Sequence, residues 1–184
     1  MPNNLNLSDI AKEYQNFISV QDYSKKPEIK DVQVVQINVF TGEDGDFSEL
    51  VRLTPEGKLE AFPNFLPRQI SRSKVLPGSV KAWHFHLKQD EIQTVLPEDK
   101  LIIGLWDLRE ESPTKGMTMR LAFGGGKGHW VYIPRGVAHG YMNPFVKDAT
   151  VLYLTSEQFN IEDPDEQRLP WDSMGPDFWK ITRE

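Results

Sequence analysis

Apolar and polar positions change places with a short period along most of this chain. Residues 31–40 carry Val32, Val34, Val35, Ile37 and Val39 and end in the turn cluster Thr41-Gly42-Glu43-Asp44-Gly45-Asp46, so the pattern predicts a strand with a return strand over 47–52. Further β-rich runs lie at 65–70, 79–85, 92–96, 101–108, 118–123, 129–133, 140–143 and 150–155, separated by Pro, Gly, Asp and Asn. Many short strands with little helical pattern between them predict an all-β barrel or sandwich. One stretch differs: Ser8 followed by Ile10, Ala11, Tyr14 and Phe17 has helical spacing and predicts a short N-terminal helix over 6–17. The run Gly124-Gly125-Gly126-Lys127-Gly128 lacks the ending of a phosphate loop and is read as a flexible hairpin. These boundaries divide the chain into an N-terminal extension (1–30), a barrel (31–160) and an irregular C-terminal tail (161–184), whose aromatics Trp171, Phe178 and Trp179 are expected to pack over the barrel.

Composition narrows the function. The chain has 184 residues, 39% of them hydrophobic and 26% charged, as expected for one folded domain rather than a disordered or membrane-spanning one. The longest apolar run, 101–106, is far shorter than the ~20 residues of a spanning helix. Residues 1–19 lack the basic region and apolar core of a signal peptide, and a cytoplasmic location is expected. A net charge of −6 argues against nucleic-acid partners, and the absence of cysteine excludes disulfides, thiolate nucleophiles and thiolate metal sites. Any metal must be held by nitrogen and oxygen, which makes the positions of the four histidines informative.

His84 and His86 are two apart on a predicted strand and therefore point to one face, while Glu91 follows a polar turn. Later, Pro134 and Gly136 predict a tight turn that delivers His139 to a strand ending near Asn143. The three imidazoles and the carboxylate are thus able to converge with coordination positions left open; a lone His on a strand is more often simply packed. His129 stands outside the pattern and is expected at the surface or core edge. Trp83, adjacent to His84, is expected to face away into the core, and Trp106 to be core or interface. Asp107 and Arg109 share a strand face and are read as an ordinary surface pair.

These two stretches resemble the paired motifs of the cupin superfamily at His84, His86, Glu91, Pro134, Gly136, His139 and Asn143, with Glu98 where a glycine is expected. The resemblance implies a double-stranded β-helix, a jelly-roll barrel. It also implies a divalent metal such as Fe, Mn, Ni or Zn on His84, His86, Glu91 and His139.

A longer resemblance is to the dTDP-4-dehydrorhamnose 3,5-epimerase family, itself built on a cupin barrel and needing no cofactor. It rests on Val80-Lys81-Ala82-Trp83-His84, on Trp106-Asp107-Leu108-Arg109 with Ser112-Pro113-Thr114-Lys115-Gly116, and on Tyr132-Ile133-Pro134-Arg135-Gly136-Val137-Ala138-His139-Gly140-Tyr141. It implies that His84 is the base that removes a proton next to a keto group, with His139 as a second pocket histidine. Lys81 takes the place of an arginine that binds nucleotide phosphates. Tyr141 and Phe159 are expected at the substrate. The family's acid tyrosine aligns near Phe159, which has no hydroxyl, and Tyr153 is read as core. The family's basic residue after the HxH stretch aligns with Ile92 or its neighbours, and its early-turn arginine with Asp44. The resemblance implies a homodimer that exchanges N-terminal strands such as 31–40. Three functions follow: an epimerase or isomerase of a nucleotide sugar or related hydroxy-carbonyl compound, a metal-dependent oxygenase or hydrolase, and a non-catalytic sugar-binding protein.

Overall fold

A computed structural model describes residues 4–24 and 26–181; residues 1–3, 25 and 182–184, which belong to the expected extension and tail, lie outside the described residues. The strands are β1 (Gln33–Ile37), β2 (Val39–Gly42), β3 (Gly45–Ser48), β4 (Gln69–Val75), β5 (Val80–Phe85), β6 (Glu91–Val95), β7 (Lys100–Asp107), β8 (Thr118–Gly124), β9 (Gly128–Ile133), β10 (Val137–Met142), β11 (Ala149–Thr155) and β12 (Gln167–Arg168). One five-stranded sheet has the order β1-β9-β6-β11-β4 and the other the order β12-β5-β10-β7-β8, while β2 and β3 form a separate hairpin. Inward residues of both sheets, among them Val95, Ile103, Leu105, Val131 and Val151, join in one buried cluster. This is the expected jelly-roll arrangement.

Several boundaries differ from the expectation, each for a local reason. The 47–52 strand shrinks to β3 and ends at Ser48. The 65–70 strand moves forward to β4, since Pro63 and Pro67 cannot donate to a ladder and the pairing with β11 runs to Val75. The N-terminal helix reduces to a 3₁₀ turn, Leu7–Asp9, and the single turn α1 (Lys12–Gln15), neither of which buries a residue. So short a helix needs an apolar surface to pack on, and Tyr14 and Phe17 remain exposed. The glycine-rich run is a hairpin but a pinned one: Gly125 N–H donates to Asp99 O and Gly126 N–H to Pro97 O. His129 is half-buried and stacks on Phe123.

The tail covers the outer face of the second sheet. Trp83 is buried there between Trp106, Phe178 and Trp179. A Cβ on Gly104 would lie 2.5 Å from the Trp179 ring, so only glycine lets the tail seat. The tail expected to be irregular also supplies β12, which pairs with β5 so that Arg168 stands opposite His84.

Asp107 and Arg109 are not a surface pair. Asp107 is fully buried and accepts hydrogen bonds from Arg109 Nε (2.8 Å), Ser112 Oγ (2.6 Å) and Thr114 Oγ1 (2.7 Å). Arg109 Nη2 then donates to Lys30 O at 2.6 Å, and Lys30 N–H donates to Thr114 Oγ1 at 2.9 Å, which fastens the entering chain to the barrel. Burial alone would raise the Asp107 carboxyl, but these donors hold it well below the usual carboxylate range. A depressed folded-state pKa gives stability that is full above the unfolded value near 3.9 and is lost as pH falls through the folded value. Urea midpoints of the wild type should therefore fall as pH drops below about 4. Asp107→Ala should be about 3 kcal/mol less stable at pH 7 and show a shallower fall in that window. Parallel curves for the two proteins would contradict this role.

Candidate active site

The second sheet builds one wall of a cavity of about 650 Å³, lined by Lys81, His84, His86 and Tyr141 from β5, its following turn and β10. The first sheet faces it with Glu91, Tyr153 and Thr155 from β6 and β11, and residues 157–168 form the rim. Strict alternation would put Lys81 and His84 on opposite faces of β5. A register shift between β5 and β10 removes the conflict: His139 pairs with His84 and Tyr141 with Lys81, so Gly140 alone stands opposite two residues. A Cβ on Gly140 would sit 2.4 Å from the Ala82 Cβ, so the bulge needs glycine there. Trp83 turns to the outer face as expected.

The two histidine-bearing stretches are tied through their backbones. The Pro134–Gly136 turn closes with Val137 N–H donating to Pro134 O, and Gly136 N–H donates to His86 O at 2.8 Å. Arg135 N–H and Nε donate to Asp90 Oδ1 at 2.9 and 3.0 Å. Asp165 adds a latch from the rim: its carboxylate accepts the N–H groups of Leu87 (2.9 Å), Lys88 (2.7 Å) and Gln89 (2.9 Å), while its carbonyl accepts from His86 Nδ1.

At the floor, Glu91 bridges two imidazoles. Its Oε2 accepts from His139 Nε2 at 3.1 Å, and its Oε1 lies 3.0 Å from His86 Nε2. Gln89 and Gln93 amides donate to the same carboxylate at 2.9 and 2.5 Å. Burial opposes ionisation of Glu91, but the two imidazoles outweigh it and hold its pKa well below the ordinary value. Burial likewise lowers His86, and the Glu91 carboxylate and Asp165 carbonyl more than reverse that, raising it. His84 moves the other way: burial, then the neighbouring His139, push it well below 6.5, so its ring is neutral at pH 7. Among the described residues no side chain hydrogen-bonds the His84 ring; it is held by packing 4.1 Å, centre to centre, from His139.

Of the residues expected at the site, His84, His86, Glu91, Lys81, Tyr141 and Phe159 line the cavity. His139 stands behind the wall, 1% exposed, with Nδ1 3.1 Å from Val137 O. Phe159 lies at the mouth, 63% exposed. Lys81 Nζ donates to Ser73 Oγ at 2.6 Å. Ile92, read as a possible counterpart of the family's basic residue, is buried in the second apolar cluster. Tyr153, read as core, packs against the main buried cluster and also lines the cavity from the first sheet, where it pairs with Ser71 and Gln93 in register. Burial raises its phenol above 10, keeping it protonated. The signal for it was the two-residue spacing from Tyr153 to Thr155 on an inward face.

The donor set also fits a divalent cation. One ligand atom from each of His84, His86, Glu91 and His139 lies within 4.8 Å of the others, and His86 Nε2 is a buried ring nitrogen with no aligned hydrogen bond.

Facing antiparallel sheets with imidazoles on strand faces at the floor of an open-mouthed cavity define a cupin-like barrel. The profile of the dTDP-4-dehydrorhamnose 3,5-epimerase family matches residues 26–177. The spore coat polysaccharide biosynthesis protein SpsL of Bacillus subtilis (strain 168) is 40% identical over 144 residues, 78% of this chain and 91% of that protein. The probable low-salt glycan biosynthesis epimerase Agl13 of Haloferax volcanii is 29% identical, covering 79% of this chain and 90% of that one. Among solved structures, dTDP-4-dehydrorhamnose 3,5-epimerase from Elizabethkingia anophelis NUHP1 superposes with a TM-score of 0.67 at 25% identity over 86% of each chain. The chain therefore belongs to the dTDP-4-dehydrorhamnose 3,5-epimerase family and is a sugar-nucleotide epimerase-like enzyme. Among its described residues no helix is long and apolar enough to cross a membrane.

The latch is testable apart from any activity. Asp165→Ala removes the acceptor of three successive amides, so hydrogen exchange at Leu87, Lys88 and Gln89 should speed up at least tenfold while β7 amides keep their protection. Unchanged exchange in the turn would contradict the latch.

Proposed function

We propose that this enzyme epimerises a dTDP-linked 4-keto-6-deoxy sugar, with His84 as the base and Tyr153 as the acid. One observation carries the reading: the neutral imidazole and the protonated phenol come from facing sheets and line the same cavity. Inversion at a carbon beside a ketone requires a proton to leave one face and return on the other, and a base and an acid on opposite walls suit that need. The C–H bond breaks, its proton goes to a His84 nitrogen, and the electron pair moves onto the keto oxygen as an enolate. Tyr153 then delivers its proton to the other face, the ketone re-forms, and solvent resets the two side chains. Phe159 at the mouth offers a face for the nucleobase, and Lys81 a positive charge for the diphosphate. Lys88 and Arg168 are engaged with Asp163 and Glu166. Membership of an epimerase family weighs against the oxygenase, hydrolase and non-catalytic readings.

With dTDP-4-dehydro-6-deoxyglucose in D₂O, the wild type should place deuterium on the carbons beside the ketone. His84→Asn should slow that exchange by about 10³-fold. Tyr153→Phe should exchange at the base's face yet release little inverted product. Exchange by His84→Asn at the wild-type rate would refute the assignment.

A second reading concerns the ion. His86 Nε2 and its three neighbours would hold a divalent metal such as Fe, Mn, Ni or Zn, which supplies Lewis-acid polarisation of a bound carbonyl. The reading predicts about one equivalent of metal in purified protein and a lower melting temperature after chelation; background metal after growth in supplemented medium contradicts it.

The enzyme is further read as a homodimer. The β2–β3 hairpin stands off the barrel with Phe40 and Phe47 exposed and stacked 6.5 Å apart, and an isolated hairpin is marginal in water. Sedimentation as a 21.2 kDa monomer would contradict this.

A further inference from the structure

Removing the proton loads negative charge onto the keto oxygen, and the cavity must hold a donor for it. A basic side chain at the start of β6 would serve, but Glu91 and Ile92 occupy that place. We infer that Tyr141 is the hydrogen-bond donor to the enolate oxygen, an inference that rests on the epimerase reading above.

Placement supports it first. Tyr141 follows His139 by two residues on β10, lines the cavity, and its ring centre lies 6.4 Å from that of His84. Base and phenol therefore share a wall. The carbonyl oxygen is bonded to the carbon next to the one that loses its proton, so its donor belongs beside the base, and Tyr153 on the facing sheet is left free for the opposite face. Orientation supports it next. Gln93 Nε2 donates to Glu91 Oε2 at 2.5 Å, which fixes the Gln93 side chain beside the Tyr141 phenol. Gln93 Oε1 has no partner, so the phenol hydrogen is not spent on it. That hydrogen is free to point into the cavity that Tyr141 lines. Its chemistry suits the task, because burial raises the phenol above its usual value and keeps it a neutral donor throughout the physiological range. No proton needs to be transferred; the bond strengthens as charge grows on the oxygen, which is what lowers a barrier.

The test compares wild type, Tyr141→Phe and a protein with 3-fluorotyrosine at position 141, each with dTDP-4-dehydro-6-deoxyglucose in D₂O. Losing one oxyanion donor should lower kcat and the deuterium-exchange rate of Tyr141→Phe together by about 10²- to 10³-fold. KM, the dissociation constant for dTDP, the melting temperature and the metal content should stay at wild-type values. The fluorinated protein, which keeps the hydroxyl, should stay within about threefold of wild type in kcat. Wild-type exchange by Tyr141→Phe overturns the inference and leaves the epimerase reading standing. A loss confined to melting temperature or dTDP affinity also overturns it, since a packing role alone produces that. Absence of exchange in the wild type overturns both.

Discussion

A carboxylate taken out of water has to be paired, and in this barrel the pairing of Glu91 organises everything around it. Ionised at the seam between the two sheets, it draws His86 and His139 toward one point, and Gln89 and Gln93 complete its shell of donors. His139, fixed at both ring nitrogens, becomes the surface on which His84 rests. Burial first, and then the neighbouring His139, keep His84 neutral against the opposing pull of the Glu91 carboxylate.

The backbone serves the same arrangement. A bulge between β5 and β10 turns Lys81 and His84 to one side, the Pro134–Gly136 turn docks on His86, and Asp165 pins the turn between β5 and β6 from the rim. On the outer face Trp83 anchors β5 beneath the C-terminal aromatics, and the Asp107–Arg109 clamp ties the entering chain to β7. The reactive wall is thus held from both sides while its mouth stays open.

Much of this was legible in residue order because it depends on local periodicity. Strand spacing aligns His84 with His86, a polar turn returns the chain at Glu91, and Pro134 and Gly136 announce the turn before His139. What escaped depends on contacts distant in sequence. Spacing puts Tyr153 and Thr155 on one side of β11, but only the register with Ser71 and Gln93 turns that side to the cavity, and alignment instead placed the acid at Phe159, a mouth residue. Asp165 sits in a tail without periodicity, and its role appears only when the turn at 87–89 is brought to it. Asp107 and Arg109 do pair, but Arg109 lies beyond the end of β7, and the Ser112–Thr114 turn that completes the burial of Asp107 is a tertiary feature. Helical spacing near Tyr14 misled because no surface receives it.

The central claim is that substrate lies between His84 on one wall and Tyr153 on the other. A crystal structure with a dTDP-linked deoxy sugar tests it most directly. The sugar carbon that loses its proton, beside the ketone, should lie within about 3.5 Å of a His84 nitrogen, with the Tyr153 hydroxyl over the opposite face of the ring. A sugar with both side chains on one face, or one seated outside the cavity, would contradict it.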